Sequence, residues 1–104
     1  MSSKRYDSPV PGSIGAQIYR GKSFDEIKAV NPFASRDWLD NTAEFSDTRR
    51  KPVDALFENG NEISKTDICN RKPNVGRYAA FRAIAHGIAR WDEDRQFLVK
   101  INAP

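Results

Sequence analysis

Cysteine and histidine are nearly absent from this sequence, and long apolar runs are missing altogether. Its 104 residues include one cysteine, Cys69, and one histidine, His86. A lone cysteine cannot form an internal disulfide, and one thiol with one imidazole cannot build the usual four-ligand zinc site. No run of about 18 apolar residues occurs, and the first residues do not resemble a signal peptide. We therefore expect a cytoplasmic protein that uses no metal or cofactor and contacts no membrane.

The composition is typical of one small folded domain. Hydrophobic residues make up 38% of the chain, charged residues 30% and aromatic residues 11%. Disordered chains rarely contain this many aromatic residues, and a chain of this length can bury one core. The opening segment MSSKRYDSPVPGS has prolines, glycine and serines but no hydrophobic period. We predict a flexible arm over residues 1–13 and a single compact domain over residues 14–104.

Positive charge is concentrated towards the C-terminal end of the chain. The net charge is +3, and residues 65–104 contain eight Lys or Arg against four Asp or Glu. Between residues 65 and 90, six cations accompany only one carboxylate: Lys65, Arg71, Lys72, Arg77, Arg82 and Arg90. Contacts to backbone phosphates provide most of the non-specific affinity of proteins for DNA. This cluster indicates a phosphate-binding surface, with a solvated helical face as the competing interpretation.

The N-terminal half predicts one short strand and two capped helices. In residues 14–21, IGAQIYRG, apolar and polar residues alternate as in a half-buried strand. Ser23 precedes Glu26 by three residues, which is the spacing of a capping box, so a short helix should follow and end before the next Asn-Pro pair. Ser35 is the expected N-cap of a second helix in RDWLDNTAEF.

The C-terminal half predicts three helices and a hairpin. A helix should begin with Pro at its first position and cover residues 52–58. Ser64 caps a short helix in KTDICN, and a longer helix covers residues 74–86 and ends at Gly87. Residues 88–101 then form a β-hairpin. One face of its second strand should contain three apolar residues, Phe97, Val99 and Ile101.

The order helix, short capped helix, turn, longer helix and hairpin resembles the winged helix-turn-helix fold of DNA-binding domains. The resemblance rests on ALFENG as the first helix, SKTDICN as the second, NVGRYAAFRAIAHG as the recognition helix and IARWDEDRQFLVKI as the wing. It implies a mostly helical α+β fold with a C-terminal β-hairpin. It also implies a small DNA-binding regulatory protein that places residues 64–86 on the major groove of double-stranded DNA. A palindromic target would require a homodimer.

The resemblance gives roles to six residues. Side chains at the start of the recognition helix would pair with base edges: Asn74, Arg77 and Arg82. Neighbouring cations would contact phosphate and fix the register: Arg71, Lys72 and Arg90. Helical spacing places Arg82 opposite the apolar residues of its helix. The acidic wing tip, residues 92–94, would be repelled by phosphate, so it either points away from DNA or argues against a DNA partner.

Two other functions compete with DNA binding. A small inhibitor, antitoxin, immunity-type or phage-encoded regulator would bind a protein through aromatic and arginine residues, which dominate interface hot spots. Its aromatic candidates are Tyr6, Tyr19, Trp38 and Trp91. A metal-free ribonuclease toxin would use His86 as general base and an arginine to steady the phosphate, with Tyr78 nearby. No second acid or base accompanies His86, so we expect a protein that is not an enzyme.

Overall fold

The computed structural model describes residues 10–71 and 75–101, and the chain divides into two compact units after Glu44. Within the described residues, the first unit contains α1 (Ile14–Gln17), α2 (Phe24–Val30) and α3 (Arg36–Leu39). The second unit contains α4 (Asp47–Leu56), β1 (Glu62–Ser64), α5 (Lys65–Cys69), α6 (Val75–Ala85), β2 (Ala89–Asp92) and β3 (Phe97–Lys100). The fold is therefore α+β, mostly helical, with a C-terminal hairpin, as predicted. The predicted arm falls largely on residues 1–9, outside the described residues, and the single domain stays a prediction.

The predicted strand over residues 14–21 is wrong, because α1 forms there. Ser13 is the N-cap, and its Oγ accepts a hydrogen bond from the Ala16 backbone N–H at 3.1 Å. Ile14 is fully buried, and its N–H donates to the Asn41 carbonyl at 2.8 Å. Alternation of apolar and polar residues over so short a segment fits one helical turn as well as a strand. The serine N-cap is therefore the better predictor of the structure here.

The two capped helices of the first unit are confirmed, and the second is shorter than predicted. The Ser23 Oγ accepts from the Glu26 N–H at 3.1 Å, and the Glu26 carboxylate accepts from the Ser23 N–H at 2.8 Å. Ser35 caps α3, which is only four residues long. The helix stops because the backbone of residues 41–43 bonds to residues 12–14 instead.

Helix α4 begins at Asp47, so the prediction that it starts at Pro52 is wrong. Pro52 lies inside the helix. Proline has no N–H to donate to the carbonyl of Thr48, one turn earlier. Because Pro52 is exposed, water can reach that carbonyl. Val53 and Leu56 are buried, as predicted.

The predicted C-terminal hairpin is confirmed, and it belongs to a sheet with a third strand that was not predicted. β3 lies in the middle and pairs antiparallel with both β1 and β2. Leu98 is fully buried and pairs with the buried Ile63 of β1. Because neighbouring residues of a strand point to opposite faces, Phe97 and Val99 share the other, outer face.

Helices α5 and α6 cross closely. Ser64 caps α5 as predicted, accepting a hydrogen bond from the Asp67 N–H at 3.1 Å. Gly76 packs so tightly on α5 that a side-chain methyl group would overlap the Ile68 carbonyl oxygen. Gly87 follows the end of α6 with a φ of 75°, the left-handed conformation in which glycine terminates helices. The predicted helix end at this glycine is confirmed.

Candidate nucleic-acid interface

The six predicted DNA contacts differ in accessibility. Two of them lie outside the described residues: Lys72 and Asn74. Three are described and accessible to a partner: Arg71, Arg77 and Arg90. The sixth, Arg82, has only 1% of its surface exposed.

The crossing at Gly76 brings two of the predicted cations together. The Arg71 Cβ lies 3.0 Å from the position that a Cβ would take on Gly76, so the base of the Arg71 side chain contacts the first turn of α6. Arg77 is the next residue of that turn and is exposed. Val75, on the other side of Gly76, is 50% exposed. The start of α6 therefore presents one apolar and two cationic side chains.

Beyond its first turn, α6 is enclosed. Residues 79–83 are all buried, and the helix packs against α4, α5 and β2. On this helix only Val75 and Arg77 are exposed. A partner could therefore contact the N-terminal turn of α6 but not a long helical face.

The prediction that Arg82 faces solvent is wrong. Its Nε donates a hydrogen bond to the Tyr78 hydroxyl at 2.9 Å, and its Nη1 lies 3.0 Å from the His86 Nε2. Residues four apart stack along one helix face, so the three side chains form a polar row. The row is polar but buried at its centre, and spacing alone could not distinguish it from a solvated face. A guanidinium held in this way does not reach a base edge.

His86 is held in its neutral form. Arginine only donates hydrogen bonds, so the His86 Nε2 accepts from Arg82 and the ring proton lies on Nδ1. Burial and the positive charges of Arg82 and Arg50 lower the pKa of His86 to about 4. Phe45 stacks on the ring with 4.1 Å between centroids. The ribonuclease alternative requires three side chains to lie together, and they do: Tyr78, Arg82 and His86. The guanidinium of Arg82 is enclosed, however, which favours a structural role for the three residues.

The hairpin tip contains ion pairs as well as carboxylates. The Arg95 Nη2 lies 2.7 Å from the Glu62 Oε2, and its Nε lies 2.9 Å from the Asp92 Oδ2. Hydrogen bonds from Arg95 lower the pKa of both carboxyl groups. The Glu93 carboxylate accepts a hydrogen bond from the Trp91 Nε1 at 3.0 Å. The predicted acidic tip is thus partly neutralised by an arginine that links it to β1.

Arg90 lies on the outer face of the sheet. Val99 pairs with Glu62 on one side and with Arg90 on the other, so the three side chains form a row across the strands. Glu62 is engaged by Arg95, whereas Arg90 is exposed and forms no ion pair with another described residue. Besides Arg95, the charge of Arg90 also helps to lower the pKa of the nearby Glu62 and Asp92 carboxyl groups, so Arg90 lies exposed beside two carboxylates.

A polar groove of about 320 Å³ lies beside α5. Leu56 and Ile63 supply its apolar lining. Its polar lining mixes both charges: Asn59, Glu62, Asp67, Asn70 and Arg71. The volume is at the lower end of the range for small-molecule sites, about 300–1,000 Å³. With carboxylates and an arginine together, the groove has no clear preference for one charge.

The aromatic residues proposed for a protein partner are mostly not exposed. Tyr19 is 7% exposed, and its hydroxyl accepts a hydrogen bond from the Asn31 amide at 3.1 Å. Trp38 and Trp91 are half-buried, and Tyr6 lies outside the described residues. None of the three described side chains, Tyr19, Trp38 and Trp91, is exposed as an interface hot spot would require.

Comparisons with protein-family models, with curated proteins and with solved structures found no match for the chain. In the described part of the chain, no three His, Cys, Asp or Glu residues are grouped so that they could hold a metal ion. Nor does any helix there have the length and apolar character needed to cross a membrane.

Proposed function

We propose that this protein is a small DNA-binding regulator whose C-terminal unit is a winged helix-turn-helix domain. The observation that carries the proposal is the element order from α4 to β3: helix, strand, helix, helix and hairpin, with the sheet order β1-β3-β2. The third strand, β1, was not predicted from the sequence; it pairs with β3 and so joins the segment between α4 and α5 to the hairpin.

The exposed start of α6 supports a contact with the major groove. Helix-turn-helix proteins reach base edges with the N-terminal residues of the recognition helix. Arg77 is exposed there, and Asn74 immediately precedes the helix in sequence. Arginine pairs bidentately with guanine and asparagine with adenine. These two residues are the proposed base contacts, and Arg82 is left out because it is buried.

Arg71 and Arg90, with Lys72, are the proposed phosphate contacts. Arg71 borders the first turn of α6, and Arg90 is exposed on the outer face of the sheet. Contacts of this kind supply affinity and fix the register on the duplex without reading sequence.

A mobility-shift titration of the full chain with synthetic duplexes at several salt concentrations tests this function. Arg71→Ala and Arg90→Ala should weaken binding to all duplexes and should each reduce the salt slope by about one. Arg77→Ala should cost about 1–3 kcal/mol and relax the preference at one base pair. Arg20→Ala removes an exposed arginine of the first unit and should bind as the wild type does. Absence of binding to every duplex at low salt would refute the proposal.

Two further readouts of the same preparation separate the alternatives. If the protein binds no duplex but retains one stoichiometric protein from nuclease-treated lysate, the protein-binding function replaces the DNA-binding function. If it binds a palindromic duplex, the stoichiometry should be two chains per duplex, as for the predicted homodimer.

A further inference from the structure

The groove beside α5 contains two opposite charges that are not paired with each other. Asp67 and Arg71 both line it, and neither side chain forms an ion pair with another described residue. Glu62, the second carboxylate of the groove, is held by Arg95 at 2.7 Å. The groove therefore offers one anionic and one cationic group to a ligand.

The remaining lining of the groove narrows the chemistry of that ligand. Leu56 and Ile63 are 4% and 6% exposed, and both border the groove, so one wall is apolar. The amides of Asn59 and Asn70 add hydrogen-bond donors and acceptors. A carboxylate such as that of Asp67 accepts hydrogen bonds from an ammonium group, and a guanidinium pairs with a carboxylate through two hydrogen bonds. The volume of about 320 Å³ suits a small molecule.

We propose that this groove binds a small zwitterion with an apolar side chain, of the class of the apolar α-amino acids. The ammonium group of the ligand pairs with Asp67 and its carboxylate pairs with Arg71. Its side chain lies against Leu56 and Ile63. A ligand with both charges and an apolar group matches the mixed lining, whereas a ligand with one charge leaves either Asp67 or Arg71 without a partner.

Arg71 links the groove to the proposed DNA interface. Its backbone N–H donates to the Ile68 carbonyl at 3.3 Å, and the base of its side chain packs against Gly76 near the start of α6. A guanidinium that pairs with the ligand carboxylate is not available to a phosphate. The amino acid therefore weakens DNA binding by competing for Arg71. This regulatory step rests on the proposed DNA-binding function, whereas binding of the amino acid does not.

Isothermal titration calorimetry of the full chain with leucine, isoleucine, methionine and phenylalanine tests the ligand class. At least one of them should bind, with one amino acid per chain. Two analogues of that amino acid should bind at least about tenfold more weakly, the loss expected for a charge-assisted hydrogen bond: the amide, which lacks the carboxylate, and the deaminated acid, which lacks the ammonium group. Absence of binding by all four, or an analogue that binds equally well, would overturn the proposed ligand.

An aspartate variant assigns the binding to this groove. Asp67→Asn keeps the shape of the side chain, removes its charge and should weaken binding at least about tenfold. Asp54→Asn makes the same change at an exposed carboxylate of α4 outside the groove lining and should bind as the wild type does. Both side chains are exposed, so thermal unfolding of both ligand-free variants should match the wild type. Equal affinity of Asp67→Asn and the wild type would show that the ligand binds elsewhere and overturn the site.

Mobility shifts with and without a saturating amount of the amino acid test the competition. The ligand should reduce the salt slope of the wild type by about one and should not reduce that of Arg71→Ala further. An unchanged wild-type slope overturns the competition and leaves amino-acid binding intact. Failure of the wild type to bind any duplex overturns the regulatory step together with the DNA-binding function, while the calorimetry still decides whether the groove binds amino acids.

Discussion

Replacing Gly76 by alanine tests the close crossing of α5 and α6 on which the proposed interface depends. Helix propensity alone favours the change, because alanine is better than glycine inside a helix by about 1 kcal/mol. Packing opposes it, since the added methyl group would overlap the Ile68 carbonyl oxygen and lie 3.0 Å from the Arg71 Cβ. A backbone oxygen and a Cβ cannot rotate away as the end of a flexible side chain can. The two helices must therefore move apart.

The expected loss follows from these opposing effects. Overpacking of a close contact costs about 1–3 kcal/mol, and a backbone obstacle belongs at the upper end of that range. After the propensity gain is subtracted, the free energy of unfolding should fall by about 1–2 kcal/mol. For a chain of this size, that loss corresponds to a decrease in Tm of about 4–16 °C.

Thermal and urea unfolding followed by far-ultraviolet circular dichroism measure the effect. Gly87→Ala is the matched control, because a Cβ at Gly87 would meet no atom within 4 Å. That substitution is destabilising only through the φ of 75°, which alanine adopts at a cost. Both variants should be destabilised, but only Gly76→Ala should also weaken DNA binding, since it displaces Arg71 relative to Arg77. A Gly76→Ala protein as stable as the wild type, or more stable, would refute the close crossing.

Two further predictions concern the row formed by Tyr78, Arg82 and His86. Arg82→Ala should lower the free energy of unfolding by about 2–4 kcal/mol, because it opens a cavity and removes the partner of two side chains. The exposed Arg77→Ala should change it by less than about 0.5 kcal/mol in the same urea titration, and similar losses would contradict the burial of Arg82. The second prediction is that the free energy of unfolding falls as the pH decreases from 6.5 towards 4. The pKa of His86 is about 4 in the folded chain, below the ordinary histidine value of about 6.5 in the unfolded chain. The unfolded chain therefore binds the proton first and is stabilised. The loss should reach about 1 kcal/mol at pH 5, allowing for the partial exposure of the ring, and a His86→Gln variant with unchanged pH dependence would count against this origin.

Capping rules predicted the helices best, because they act within three or four residues. Ser23, Ser35 and Ser64 each precede a helix, and each accepts the hydrogen bond that the rule requires. The same rule applies to Ser13, whose cap indicates α1 more directly than the short alternation of apolar residues does. Pro52 shows the converse problem: a residue typical of a helix start lies inside α4.

Long-range contacts explain what the sequence could not show. β1 is only three residues long, and it is a strand because it pairs with β3. In the sequence, β3 comes after α5, α6 and β2. The ion pair between Arg95 and Glu62 also joins residues far apart in sequence, so the charge of the hairpin tip could not be assessed from residues 92–94 alone. The burial of Arg82 also depends on residues distant in sequence. Helical spacing shows on which face of the helix a residue lies, but not which elements pack against that face.

Under the proposed function, the enclosure of α6 would limit how much DNA sequence one copy of the protein reads. Among the described residues, its accessible candidate base contact is Arg77 in the first turn, and the proposed Asn74 precedes that turn in sequence. A bidentate contact discriminates between bases by about 1–3 kcal/mol. One copy would then reach only the lower part of the range of about 4–10 kcal/mol that separates specific from non-specific binding. Two copies on half-sites one helical turn apart would double the discrimination, so sequence-specific regulation by this protein would require the predicted homodimer.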